Sequence, residues 1–251
     1  MLTLRLVFHL ALRQAEEFAR SVLQLLGMAL SVPDHSTLSR RGRAFAGRQP
    51  RVQPGGGPMH LVLDSTGLGL FGQGEWCAAK HGRLRRRWLK LRLGVDAGTG
   101  EITAHVLTDG DAAQAPALLR QCEGTLASVV ADGAYDRDPV HQAAAARQAG
   151  SPPAVVIPPR ADAVLGTADP DQQTPRDRQI RLMAERGRIG WQRAAGHGRR
   201  NHAETAMGRY KHLIGPKLRA RSRLGQLGEV ALAVQVLNRM IREAKPVSVR
   251  R

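Results

Sequence analysis

The chain has 251 residues, of which 42% are apolar and only 4% aromatic, so we expect a core of Leu, Val, Ile and Ala. Its formal net charge of +17 would repel itself without a polyanionic partner, which makes nucleic acid the first partner to consider. Cys77 and Cys122 form no CxxC pair, which argues against a disulfide framework or a zinc cluster and agrees with a reducing cytoplasm. The sequence has no apolar stretch of membrane-spanning length, so we expect no membrane partner.

The charge is distributed in blocks rather than evenly. Residues 80–92 carry seven Lys or Arg and no acid, and residues 176–223 carry fourteen basic residues against three acids. Between residues 93 and 138 the balance reverses, with eight acids against two arginines. We expect the basic blocks to face DNA, although a solvated loop is the alternative interpretation of the first block. The arginines of that block that we expect to contact DNA are Arg85, Arg86 and Arg87.

The N-terminal segment, residues 1–46, is predicted to be helical. Residues 2–27 place apolar side chains at helical spacing, and Gly27 is a suitable end for that helix. A short basic helix follows, for which Asp34 or Ser36 can serve as the N-cap.

This segment has two interpretations. A helix, a turn and a short basic helix form a helix-turn-helix-like DNA-binding arrangement, in which Arg40 and Arg41 would contact DNA. A small helical bundle that packs on the main domain fits the same pattern equally well. Residues 47–58 are rich in Pro and Gly and are predicted to be a linker, so the main domain would comprise residues 59–245.

The main domain is predicted to be α/β with a mixed sheet. Three strands come first, and the sequence AGTGE predicts a hairpin between the second and the third. Helices and strands then alternate, and the chain ends in helices. The predicted strands are 60–66, 88–98, 101–109, 125–132 and 154–158, and the predicted helices are 111–122, 137–149, 176–186, the helix around residue 204, and 223–243.

Three acidic residues lie where folding could bring their side chains together. Asp64 and Asp132 each follow an apolar run, and strand ends let a side chain project beyond the sheet. Glu204 lies on a basic helix and shares a stripe with Arg200, four residues before it, and Lys211, seven residues after it. Each acid has an alternative interpretation, because a strand-terminal Asp often forms a turn and Glu204 could simply pair with Arg200.

Four blocks of sequence in a fixed order carry a family resemblance. They are SVPDHSTLSRR, LVLDSTGLGLFGQGEW, VVADGAYD and RRNHAETAMGRYKHLIGPKLRAR, and the closing VLNRMI adds to them. With these blocks the chain resembles bacterial DDE transposases of the insertion-sequence-five group, within the wider insertion-sequence-four-like superfamily. The signature of that family is a Tyr followed after two intervening residues by Arg, after three more by Glu, and after six more by Lys. Arg200, Glu204 and Lys211 match this spacing, whereas His197 replaces the Tyr.

The resemblance implies an RNase H-like core with a mixed sheet flanked by helices, plus the small N-terminal helical segment. It implies that Asp64, Asp132 and Glu204 are catalytic and bind two Mg²⁺ ions, for which Mn²⁺ can substitute. Arg200 and Lys211 would contact phosphates near the scissile bond. Family members usually carry additional residues before the first helix, so this chain is expected to begin late.

The expected function is metal-dependent DNA cleavage and strand transfer at the ends of an insertion sequence. The expected partners are double-stranded DNA, as terminal inverted repeats and target DNA, and further copies of the chain assembled on it. The expected location is the bacterial cytoplasm, in association with the nucleoid. A catalytically silent DNA-binding remnant, or another RNase H-like nuclease that acts in repair or on RNA–DNA hybrids, would share several of these features.

Overall fold

A computed structural model describes residues 1–50, 52, 57–71, 88–110, 114–147, 151–167 and 169–244. The chain divides into two compact units. Unit 1 comprises Met1–Pro50, Gly67–Lys90 and Gly208–Arg251, and unit 2 comprises Arg51–Thr66 and Leu91–Met207. The domain boundaries expected from sequence, with a linker over residues 47–58, stay a prediction.

Helices and strands alternate through most of the chain. In chain order they are α1 (Leu2–Val7), α2 (Leu12–Leu25), α3 (His35–Arg43), β1 (Met59–Leu70), β2 (Trp88–Asp96), β3 (Ile102–Thr108), α4 (Ala115–Gln121), β4 (Leu126–Val130), α5 (Asp138–Ala145), β5 (Ala154–Val156), α6 (Pro175–Ala195), α7 (Asn201–Arg209), β6 (Lys217–Leu218) and α8 (Arg223–Glu243). None of the helices within the described ranges is both long and apolar enough to cross a bilayer.

The N-terminal helices belong to unit 1. The prediction of one helix over residues 2–27 is wrong, because the chain breaks between α1 and α2, where His9 adopts a left-handed φ of 54°. The end of α2 is as predicted, with Gly27 at φ 65°. Asp34 is the N-cap of α3 and accepts a hydrogen bond from the Thr37 N–H at 2.8 Å, as one of the two predicted caps. α3 packs against α8 in the same unit.

The contact between α3 and α8 requires a glycine. A Cβ atom built on Gly228 would collide with the Gly42 carbonyl oxygen, which is main chain and cannot rotate away. We expect Gly228→Ala to lower the free energy of unfolding by about 1–3 kcal/mol, because the two helices must separate to admit a methyl group. Gly208→Ala is the matched control, since a Cβ there meets open space and should stabilise the helix by about 0.5–1 kcal/mol. Thermal melts by circular dichroism measure both, and equal melting temperatures would contradict this packing.

The sheet has six strands in the order β3-β2-β1-β4-β5, with β6 paired to the distal end of β1. β4 lies parallel to β1, and β5 lies parallel to β4. β2 and β3 form the predicted hairpin, whose turn is closed by the Asp96 N–H donating to the Glu101 carbonyl at 2.9 Å. The mixed sheet with flanking helices confirms the predicted α/β class, and the strand order agrees with an RNase H-like core.

The core of unit 2 lies between the sheet and the helices α4 and α5. Inward-facing Leu and Val side chains of β1 and β4 pack there against the apolar faces of both helices. The buried members contributed by β1 and β4 are Leu61, Leu63, Leu126 and Val129. This packing fixes the position of β1 relative to β4, and therefore of the residues that follow their paired segments.

Candidate active site

Asp64 and Asp132 lie at the same level of the sheet in unit 2. The last register pair of β1 and β4 is Val62 with Val130, and each aspartate lies two residues further along its chain. Residues two apart along a strand share a face. The prediction that the first strand covers residues 60–66, with Asp64 close to its end, is wrong, because β1 continues to Leu70. The pairing of β1 with β4 ends just before Asp64, so Asp64 lies on β1 at a point where β4 no longer runs beside it.

The chain turns sharply directly after β4. Asp132 is the N-cap of a short 3-10 turn over Gly133–Tyr135, and its Oδ1 accepts a hydrogen bond from the Ala134 N–H at 3.0 Å. Asp132 therefore forms a turn, which was the alternative interpretation of this residue from the sequence. It leaves Oδ2 of the same carboxylate without a hydrogen bond to any of the described residues.

Glu204 is brought to the same place through an arginine. The Arg200 Nη1 donates to Glu204 Oε1 at 2.7 Å, and the Arg200 Nη2 lies 3.8 Å from Asp64 Oδ2. Glu204 is an exposed residue on α7, whereas Asp64 is only 8% exposed. The ion pair that sequence allowed as an alternative role for Glu204 is present, and the same guanidinium also reaches the buried aspartate.

The electrostatics of Asp64 reflect its burial first and the nearby charges second. Burial raises the pKa of its carboxyl, and the nearby charges of Asp132 and Glu204 add to the rise. The N–H of Ser65, which donates to Asp64 Oδ1 at 2.8 Å, and the charge of Arg200 oppose it. A buried carboxylate among like charges is a site that a cation would stabilise.

His197, which replaces the family Tyr, has structural contacts in unit 2. Its Nε2 lies 3.2 Å from the carbonyl oxygen of Ala131, the residue before Asp132. Its ring packs on the fully buried Trp191, with ring centroids 5.1 Å apart. Burial lowers the pKa of His197, which favours the neutral ring with Nε2–H donating to that carbonyl. The contact ties the turn before α7 to the end of β4.

A second polar cluster, which the sequence interpretation missed, holds the far end of the Asp132 turn. Asp136 accepts two hydrogen bonds from the Arg176 guanidinium, at 2.8 and 3.0 Å, and one from the Arg160 N–H at 3.1 Å. His141 Nε2 lies 3.1 Å from the same carboxylate. Burial opposes ionisation of Asp136, but these partners outweigh it and lower the pKa of its carboxyl. The only sequence signal was the second Asp of VVADGAYD.

The other residues expected to bind DNA lie in unit 1 or outside the described residues. Lys211 lies in unit 1, in a π-helical turn over Tyr210–Ile214. Arg40 and Arg41 lie in the last turn of α3, also in unit 1. The run that contains Arg85, Arg86 and Arg87 lies outside the described residues. For all of these, DNA contact stays a prediction.

The three acidic side chains are of the ligand type that a hard cation prefers. Three carboxylates supply the oxygen ligands that Mg²⁺ prefers, and a positive charge near buried Asp64 would favour its ionised form. The present side-chain positions do not form a ligand cage, since no three His, Cys, Asp or Glu of the described ranges are grouped closely enough to hold a metal ion. Arg200 supplies the local positive charge instead, and its buried Nε has no acceptor among those residues.

Comparison with known families agrees with the resemblance to DDE transposases, at the level of that family. Residues 55–239, well over half of the chain, match the profile of the family described as "Transposase DDE domain", and residues 1–73 match a second profile with the same description. Among solved structures, the chain is similar to the cryo-EM structure of a piggyBac transposase synaptic complex with hairpin DNA, with 11% sequence identity and a TM-score of 0.37. That match covers 79% of this chain and 50% of the other, so the chain spans half of that transposase's length.

Proposed function

We propose that this chain, which belongs to the transposase DDE domain family, cuts DNA at the ends of an insertion sequence and joins them to a target. The observation that carries the proposal is the convergence of three acids from distant parts of the chain. Asp64 and Asp132 follow the last paired residues of β1 and β4, and Arg200 connects Asp64 with Glu204. Acids gathered in this way suit phosphoryl transfer, which needs oxygen ligands from several segments.

In this proposal Asp64, Asp132 and Glu204 hold Mg²⁺ ions, or Mn²⁺ in their place. The bound ions would supply activation of the attacking oxygen and stabilisation of the leaving oxygen during displacement at phosphorus. The protein's own contribution is placement. The Ser65 N–H orients Asp64, and the Ala134 N–H orients Asp132.

Arg200 has two tasks in this scheme. In the present arrangement it neutralises the carboxylates of Asp64 and Glu204. When DNA is bound, its guanidinium is suited to a phosphate oxygen, because its donors match phosphate as well as carboxylate. Lys211, the last residue of the family signature, would contribute a further phosphate contact.

We also propose the finer assignments that the sequence resemblance implies. The protein would be a bacterial enzyme of the insertion-sequence-five group that acts at the nucleoid. It would recognise terminal inverted repeats and assemble as a homo-oligomer on DNA. The N-terminal helices, with Arg40 and Arg41, would take part in that recognition.

A strand-transfer assay with the element's own ends tests the function. A plasmid that carries the DNA flanking the gene is incubated with the protein in Mg²⁺, and the products are mapped by sequencing. We expect cleavage at inverted repeats and joining to target DNA with a short target duplication. DNA binding without any product would support a silent remnant, and cleavage confined to RNA–DNA hybrids would support a different RNase H-like nuclease.

A further inference from the structure

An open basic hollow of about 760 Å³ lies in unit 2 between the end of α6 and the start of α7. The described residues that form its wall are three arginines, a histidine, an asparagine, a glutamine and two glycines, with no acid among them. Gly196 ends α6 in a left-handed conformation, with φ 70°, and turns the chain so that the arginines on both sides face one space. The arginines are Arg193, Arg199 and Arg200.

Two of these arginines have uncompensated charges. Arg200 is paired with Glu204, but Arg193 and Arg199 are exposed and have no carboxylate partner within the described part of the chain. Arginine carries five donors and no acceptor. A wall of such side chains therefore favours a ligand that offers several anionic oxygens, and phosphate geometry matches the guanidinium fork.

Arg193 also has a purely structural interpretation. It lies in the last turn of α6, where a positive charge interacts favourably with the helix dipole. Arg199 has no such role, since it lies in the turn that precedes α7. The dipole interaction needs only a positive charge, whereas bidentate binding of phosphate needs the planar fork. Lysine substitutions therefore separate the two interpretations.

Two residues that line the hollow also contact the part of unit 2 that holds the three acids. Arg200 lines the hollow and contacts Asp64 and Glu204. His197 lines it and contacts the carbonyl of Ala131, next to Asp132. These two residues place the arginines of the hollow beside the acids, where the backbone next to a reacting phosphate would lie.

We infer that the hollow binds the phosphodiester backbone of DNA next to the scissile bond, with Arg193 and Arg199 as phosphate ligands. Neither arginine belongs to the Arg–Glu–Lys signature. The inference rests on the proposed function, because it takes DNA as the substrate of the adjacent acids. It places the DNA backbone on one side of the reacting phosphate in the hollow.

The test is the salt dependence of DNA binding for Arg193→Gln/Arg199→Gln. Binding to a short mixed-sequence DNA duplex is measured by fluorescence anisotropy without divalent metal, over a range of salt concentrations. Each lost phosphate contact lowers the slope of log affinity against log salt by about 0.9, so the double variant should lose about 1.8. The matched control is Arg120→Gln/Arg178→Gln, which removes two exposed arginines of the same unit outside the hollow. Its slope should stay near that of the wild type.

The outcomes separate this inference from the proposed function. If the two double variants had equal slopes of log affinity against log salt, and the wild type a steep one, the hollow would not bind the DNA backbone. DNA would remain the substrate in that case. A wild type that binds an RNA duplex but not DNA would overturn both. Arg193→Lys/Arg199→Lys keeps the charge and should recover most of the slope but not the affinity. Full recovery of affinity by lysine would contradict bidentate phosphate binding, and superimposable melting curves for all variants verify folding.

Discussion

Glu204→Gln is expected to lower the rate of Mg²⁺-dependent DNA cleavage by about 10³-fold or more, while DNA affinity changes no more than a few-fold. The amide keeps the size of the side chain but removes one anionic ligand, and loss of several kcal/mol of metal-borne charge stabilisation corresponds to such a factor. Binding should persist because phosphate contacts come from basic residues and Glu204 opposes them electrostatically. Single-turnover cleavage of a labelled element end, with anisotropy for binding, measures both quantities.

The matched control for this substitution is Glu185→Gln. Glu185 is an exposed acid of α6 in the same unit, so its loss changes the net charge equally without touching Asp64, Asp132 or Arg200. Its cleavage rate should equal that of the wild type. Comparable cleavage by the Glu204 variant would show that the three acids do not act together.

Arg176→Gln is expected to destabilise the protein by about 3 kcal/mol at neutral pH. Arg176 makes two hydrogen bonds to Asp136, whose side chain is only 1% exposed, and removal of one partner from such a pair leaves a buried charge poorly compensated. Because Asp136 also holds the Arg160 N–H beyond the Asp132 turn, the variant should lose cleavage activity together with stability. Chemical denaturation gives the free energy of unfolding. Arg178→Gln, an exposed position on the same helix, should cost less than about 0.5 kcal/mol.

The pH dependence of this loss follows from the lowered pKa of Asp136. A carboxyl whose pKa is lower in the folded state adds stability above its unfolded pKa, about 3.9, and loses it as pH falls through the folded pKa. The wild type therefore loses this contribution in acid, whereas the variant has already lost most of it at neutral pH. The stability difference between the two should shrink as pH falls below about 4. A difference that stayed constant or grew in acid would contradict the assigned ion pair.

Local sequence signals succeeded where the interaction they describe is itself local. Asp34 caps α3, and the last helix has the predicted bounds of Arg223 and Glu243. The helix that begins near residue 176 is longer than predicted, since it continues through a kink at Gly187 to Ala195. A glycine at φ 65° normally ends a helix, and the burial of Trp191 in the second half explains why the chain returns to helix.

The errors concern features that depend on distant residues. The break between α1 and α2 follows no Gly or Pro, so periodicity alone predicted one helix. The extension of β1 past Asp64 is accompanied by pairing of Gly69 and Leu70 with β6, a strand of only two residues that no pattern predicts. The Asp136 cluster joins four separate segments, which explains why only the motif letters indicated it.

The sequence by itself determined the chemistry available to this protein: the acids Asp64, Asp132 and Glu204, the basic blocks, and the pairing of Arg200 with Glu204, which needs only the helical spacing of four residues. The tertiary structure decided which of these groups meet. The register of β1 on β4 sets Asp64 level with Asp132, and the turn before α7 carries Arg200 to Asp64. Both arrangements depend on packing between segments far apart in the chain, and such long-range contacts leave no periodic signal in the amino-acid sequence.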